Sequence, residues 1–181
     1  MRFGVVCVSD RCAAGVNEDK SGPRIMELVA PLAAETIYRL VPDEKDQIEN
    51  ALTDLADTQQ VDVILTTGGT GFAPRDVTPE ATMAVVDRLA PGISEAIRMQ
   101  SLAVTNRAML SRAVSGLRGK TLIVNLPGSV KAVEESLEVL LPVLPHAVET
   151  MSGNTQSCGR GDNRTANQTN KLQYKKGDDA H

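Results

Sequence analysis

The sequence predicts an α/β protein built around a mostly parallel sheet. Short aliphatic runs recur along the chain, at Phe3–Val8 (FGVVCV), Glu35–Val41 (ETIYRLV), Asp62–Thr66 (DVILT) and Thr121–Asn125 (TLIVN). Segments with apolar residues at helical spacing separate them, and strands alternating with helices indicate a parallel sheet with crossover helices. Hydrophobic residues make up 41% of the chain and aromatic residues only 2%, with no Trp. The core is therefore aliphatic, as a sheet buried on both faces requires.

Each element follows from local chemistry. After the first strand, Ser9–Gly22 is polar and long for a strand-to-helix connection, which marks it as functional. Ser21 is placed to cap a helix from Pro23 to Ala30, which Pro31 ends or kinks. The second strand leads through Pro42-Asp43 into a helix over Lys45–Ala56, with Ile48, Leu52 and Leu55 on one face. The third strand runs into Thr67-Gly68-Gly69-Thr70-Gly71. Thr78 as N-cap, Pro79 at the first helical position and Glu80 in the first turn then start a helix to about Leu89. Pro91-Gly92 reads as a break, followed by a helix over Ser94–Ala103 and a short one at Arg107–Arg112. Gly116 and Gly119 bracket a turn. Leu126–Ser129 follows the fourth strand. A long helix begins near Val130, with Val133, Leu137, Leu140, Leu141 and Leu144 inward and Pro142 placed to bend it. From Ser152 the composition turns polar, so residues 1–151 read as one domain and 152–181 as a disordered tail or linker stub.

Composition narrows the function. A net charge of −4 provides no basic footprint for nucleic acid. The acidic excess lies in the first 151 residues, so anion binding there calls for metal ions and backbone N–H groups. Three Cys (Cys7, Cys12, Cys158) and two His (His146, His181) match neither a disulfide framework nor a zinc pattern. With no signal segment and no membrane-length apolar run, a reducing, cytoplasmic location is expected.

The chemistry gathers where α/β folds bind ligands, beyond the carboxyl ends of the strands. Ser9 and Asp10 follow the first strand, Asp43 the second, Gly68 to Asp76 the third, and Asn125 to Ser129 the fourth. Gly68, Gly69 and Gly71 let a ligand approach the backbone, whose N–H groups can cradle phosphate. Alone, such a run is equally a plain tight turn, and it is neither a Walker A nor a dinucleotide fingerprint. Asp76 can hold Mg²⁺ beside that cradle or simply cap the next helix, and Asp43 has the same two readings. Arg75 can pair with phosphate or remain solvated. Asp10, Asp19, Ser21 and Gly22 are candidate ligand contacts, and Asn125, Pro127, Gly128 and Ser129 form a second turn-to-helix anion site. Cys7 reads as inert core, Cys12 lacks a neighbouring His to activate it, and His146 is structural.

Taken together, VSDRCAAGVNEDKSGP, VPDE, DVILTTGGTGFAPRDVTPEAT, AMLSRAVSGLRGKTLIVNLPGS and the helix that follows resemble the molybdopterin adenylyltransferase family, which includes the G domains of gephyrin and its plant counterpart. The resemblance spans roughly Met1 to Met151. It implies a three-layer α/β fold, with helices flanking a mostly parallel central sheet, usually in a homotrimer. It also implies AMP transfer from ATP to the terminal phosphate of molybdopterin, with Mg²⁺ and release of pyrophosphate. A separate molybdenum-insertion protein would then take the product. By motif, the catalytic and metal-binding carboxylates fall on Asp43 and Asp76. Substrate positions fall on Ser9, Asp10, Asp19, Ser21, Gly22, Gly68, Gly69, Thr70, Gly71, Ser111, Asn125, Pro127 and Gly128. Cys12 stands where Ser is frequent and Val130 where Pro is often seen; no carboxylate or glycine is lost. A scaffolding module without catalysis and a nucleotide hydrolase on the same fold are the competing readings, and retention of both Asp43 and Asp76 weighs against the first.

Overall fold

The structure is a computed structural model that describes residues 1–153. The expected tail lies outside the described residues except for Ser152 and Gly153. One six-stranded sheet organises the chain, formed by β1 (Arg2–Val8), β2 (Glu35–Val41), β3 (Val63–Thr67), β4 (Arg88–Leu89), β5 (Ser115–Arg118) and β6 (Thr121–Leu126), in the order β2-β1-β3-β6-β5-β4. The first four of these in spatial order run parallel. The β5–β6 and β4–β5 pairs are antiparallel.

Helices cover both faces because the central strands are apolar on both. Phe3, Val5, Val63, Leu65, Leu122, Val124 and Leu126 pack on one side against α2 (Ser21–Val29), α5 (Pro91–Leu102), α6 (Val130–Leu140) and α7 (Leu144–Met151). On the other side, Val6, Val8, Ile64 and Ile123 meet α3 (Lys45–Thr53), a π-helical turn at Asp54–Thr58, and α4 (Thr78–Val85). The expected inward stripe Ile48, Leu52 and Leu55 is fully buried there.

Several local expectations are corrected. The long first connection contains a short helix, α1 (Asp10–Ala13), capped by the Ser9 hydroxyl, which accepts from the Cys12 N–H at 3.3 Å. Ser21 is not a cap: its Oγ donates to the Gly128 carbonyl at 2.8 Å, and Asp19 accepts from the Ser21 and Gly22 N–H groups instead. Thr78 is not a cap either, because its Oγ1 donates to the Gly68 carbonyl at 3.0 Å. Helix α4 stops at Val85, since the chain turns outward to form β4. Pro91 and Gly92 open α5 rather than breaking it, Pro91 occupying the first turn where no N–H is needed. Gly116 lies within β5, not in a turn. A Cβ there would come within 2.8 Å of the Arg88 carbonyl, so glycine is what allows β4 to pair. Pro142 does interrupt the last helix, through the 3₁₀ turn Leu141–Val143.

Successive parallel strands are added on opposite sides of β1, in the local order β2-β1-β3. That reversal opens a crevice beyond the carboxyl ends of β1 and β3.

Candidate active site

A cleft of about 470 Å³ occupies this crevice. Its walls come from the end of β1 (Cys7, Val8, Ser9), the first connection (Asn17 to Ser21), Asp43, the end of β3 (Thr67, Gly68, Gly69), Asp76, and the start of α6 (Gly128, Ser129, Val130). A second cleft of about 270 Å³ lies beside it, lined by Thr70, Gly71, Ser111, Asn125 and Pro127 together with residues of α5, the 3₁₀ turn Asn106–Leu110 and α6. The Gly68–Gly71 turn is the partition between them.

The geometry of that turn requires glycine. Gly68 has φ +98°, and a Cβ on it would fall 2.2 Å from the Val8 carbonyl oxygen. Gly69 has φ +64°, and its Cβ would lie 2.3 Å from Thr78 Oγ1 and 3.0 Å from Asp43 Oδ1. A Cβ on Gly71 would lie 2.9 Å from Asp76 Oδ2. Hydrogen in place of side chains therefore leaves both carboxylates uncovered on the side of the turn.

The two carboxylates reach the first cleft from different loops. Asp43 accepts the Asp10 N–H on Oδ2 at 2.8 Å, and the Asp43 N–H returns a bond to Asp10 Oδ1 at 3.0 Å. Asp76 Oδ2 accepts the Ala73 N–H at 2.9 Å, which closes the loop that carries it. Burial pushes the Asp43 carboxyl above its usual range, opposed by the Asp10 N–H and reinforced by the charges of Asp10 and Asp76. A cation is the natural complement to such a crowd of negative charge. Asp10 itself is held below the usual range, chiefly by the Arg75 guanidinium. Burial also pushes the Cys7 thiol well up, so it stays protonated and unreactive, as its position in β1 led us to expect.

The predicted residues divide between the clefts. Ser9, Asp19, Ser21, Asp43, Gly68, Gly69, Asp76 and Gly128 meet in the first. Thr70, Gly71, Ser111, Asn125 and Pro127 meet in the second. Asp10 and Gly22 line neither. Gly22 is structural: a Cβ would lie 2.3 Å from Asp19 Oδ2 and 2.6 Å from the Tyr38 ring. Asp19 is anchored by the Tyr38 hydroxyl at 2.7 Å as well as by the N–H groups of α2. Asn125 is buried, and its amide serves the fold. Nδ2 donates to Thr66 Oγ1 at 3.0 Å and Thr82 Oγ1 at 2.9 Å, and Oδ1 accepts the Val114 N–H at 3.2 Å.

Sequence reasoning missed three contributors. Lys20 places a cation on the wall of the first cleft. Thr67 joins two turns through Oγ1 to the Pro127 carbonyl at 2.7 Å. Arg112 fixes the 71–76 loop by donating to the carbonyls of Gly71 (2.7 Å) and Asp76 and pairing with Glu80. For Lys20 the available signal was its place in the polar first connection. Arg112 lies within the AMLSRAVSGLRGKTLIVNLPGS stretch, but no local pattern announces its long-range partners.

Residues 4–146 match the family model described as "Probable molybdopterin binding domain". Among curated proteins, the molybdopterin adenylyltransferase of Helicobacter pylori strain J99 is 43% identical over 157 residues, covering 85% of this chain and 89% of that protein. The Escherichia coli K12 molybdopterin adenylyltransferase is 47% identical over 143 residues, covering 76% and 72% respectively. Among solved structures, the molybdopterin biosynthesis enzyme MoaB from Thermus thermophilus superposes with a TM-score of 0.78 at 48% identity, covering 84% of this chain and 96% of that one.

Proposed function

This chain belongs to the molybdopterin adenylyltransferase family of molybdenum cofactor biosynthesis, and from that premise we propose how its residues carry out the transfer. The reaction is nucleotidyl transfer: a terminal phosphate oxygen of molybdopterin attacks the α-phosphorus of ATP, an O–P bond forms, and the bond to the departing pyrophosphate breaks. The observation that carries the assignment of roles is the pair of clefts meeting at one glycine turn, with Asp43 and Asp76 facing the more polar of them. Such a partition brings two substrates into contact at their phosphates. The first cleft would take the polyanionic region, and the second, walled by Ile97, Ala108, Leu110 and Ala113, would take a planar heterocycle.

Mg²⁺ fits the donor set. It is commonly held by one or two carboxylates, with substrate phosphates and waters completing the octahedron. Among the described residues no group of three or more His, Cys, Asp or Glu could hold a metal alone. Asp43 and Asp76, left open by Gly69 and Gly71, would hold the ion only together with phosphate. When bound, it would supply charge neutralisation between two phosphate groups that otherwise repel. The chain's own contribution is positional. The N–H groups of the Gly68–Gly71 turn would receive charge on the transferring phosphoryl oxygens, Lys20 would draw the polyphosphate inward, and the fixed walls would set the line of attack.

We further propose that residues 1–151 act as the catalytic domain and that the chain self-associates, as a homotrimer. Helix α5 and the turn after it expose Met99, Leu102, Val104, Met109 and Leu110, an apolar area that a second copy could cover. A cytoplasmic setting and a separate metal-insertion partner complete the reading. No helix among the described residues is long and apolar enough to cross a membrane.

Purified protein with molybdopterin, ATP and Mg²⁺ tests the catalytic reading. Pyrophosphate should appear only when the pterin is present. Pterin binding without turnover would overturn the proposal, and pterin-independent ATP hydrolysis would replace it with the hydrolase reading. Analytical ultracentrifugation tests the trimer, and a monomer at all concentrations would remove it.

A further inference from the structure

Asp43 is held by a relay of contacts that ends outside the cleft. Its carboxylate and its N–H exchange bonds with Asp10, at 2.8 and 3.0 Å, so the loops after β1 and β2 lock together. Arg75, on the loop after β3, then grips Asp10 with two nitrogens: Nε to Oδ2 at 3.0 Å and Nη2 to Oδ1 at 2.9 Å. The same Nη2 donates to Glu44 Oε1 at 2.8 Å, on the residue adjoining Asp43. Arg75, Asp10 and Glu44 line neither cleft.

We propose that Arg75 is a positioning residue for the transfer reaction, acting through Asp10 and Glu44 to hold the Asp43 carboxylate facing the glycine turn. The proposal rests on the reading that Asp43 and Asp76 hold a divalent cation. Three features favour it over an ordinary surface ion pair. Exposed pairs contribute little to stability, and Arg75 and Asp10 are 54% and 43% exposed, so stability is a weak reason for the contact. The guanidinium meets Asp10 through a planar two-point fork, which fixes direction as well as distance. The contact also ties together three loops that follow three different strands, and Asp43 lies on one of them. Without Arg75, the like charges of Asp10, Asp43 and Glu44 would push those loops apart at the lip of the cleft.

The test uses the full chain and Mn²⁺ as a paramagnetic probe. Arg75→Gln should weaken Mn²⁺ binding, read by electron paramagnetic resonance, by about 10–100-fold, as loss of a ligand-orienting contact does. Turnover should fall in kcat over the same range while KM for molybdopterin holds. Asp10→Asn should behave likewise, and the double variant should be no worse than either single, because both break one relay. Native Mn²⁺ affinity in Arg75→Gln, or losses that add in the double variant, would overturn the proposal. So would a fall in melting temperature with unchanged Mn²⁺ binding. Asp43→Asn run alongside separates the two readings. If it alone loses Mn²⁺, the relay is wrong and the metal site stands; if it too binds Mn²⁺ as the native protein does, both fall.

Discussion

The two clefts share the Gly68–Gly71 turn as a wall, yet they are built by opposite means. The first is made of loops, each sent from the end of a different strand and carrying an acidic or small polar residue. The second is made of packed helix and turn with apolar walls, and its polar groups bond within the protein, as several of the first cleft's also do. Asn125 spends its amide on Thr66, Thr82 and Val114, and Arg98 on the carbonyls of Ser111 and Ala113. The contrast teaches that lining a cleft and acting in it are different properties. Replacing a carboxylate of the first cleft should change chemistry more than stability, and replacing Asn125 or Arg98 in the second the reverse.

The largest expected effect tests the first half of that statement. Asp76→Asn keeps the shape and one acceptor for the Ala73 N–H, so the fold should survive. Losing the charge should cut pyrophosphate release by about 10²-fold or more, as removal of a preorganised electrostatic group does. A native rate would remove Asp76 from the site.

The shared wall should fail in both respects. Gly68→Ala places a methyl group 2.2 Å from a backbone oxygen at φ +98°. Strain and overpacking together should cost about 3 kcal/mol, read by chemical denaturation, with activity falling as well. Native stability would mean that the turn relaxes freely and is no fixed partition.

The second cleft should show the complementary behaviour. Asn125→Ala strands the Val114 N–H and two threonine hydroxyls in a buried layer. The expected cost is about 1–3 kcal/mol of stability, with KM for both substrates little changed. A raised KM with native stability would instead make Asn125 a substrate contact and dissolve the contrast.

Legibility in the sequence followed the same divide. The parallel strands and the cleft carboxylates were readable because aliphatic runs and strand-end loops are local signals. Strands β4 and β5 were not, since β4 has two residues and β5 carries Gly116 for a contact visible only in three dimensions. Ser21 and Thr78 looked like caps because their residue types suit caps. Tertiary acceptors, the carbonyls of Gly128 and Gly68, claimed their hydroxyls instead. Arg112 escaped notice for the same reason, as its partners lie in a loop distant along the chain. The resemblance to a family pooled all the pocket residues into one set and could not show that the turn divides them.

The smallest expected effect is a gain in stability, at Asp43. Burial raises the Asp43 carboxyl above its ordinary value of 3.8, so the folded chain keeps a proton that the unfolded chain has already released. Stability therefore falls as pH rises through the window between those two values, and the deficit persists at every higher pH. Asn has no such proton, and it keeps an oxygen to accept the Asp10 N–H. Asp43→Asn should then melt slightly higher than the native protein at pH 7, with the difference vanishing below the ordinary Asp range, while turnover is lost. An activity-critical carboxylate that lowers stability marks a site kept for its chemistry. If Asp43→Asn melts lower at pH 7, the negative charge itself stabilises the fold, through the Asp10 N–H and Arg75, and burial does not govern Asp43.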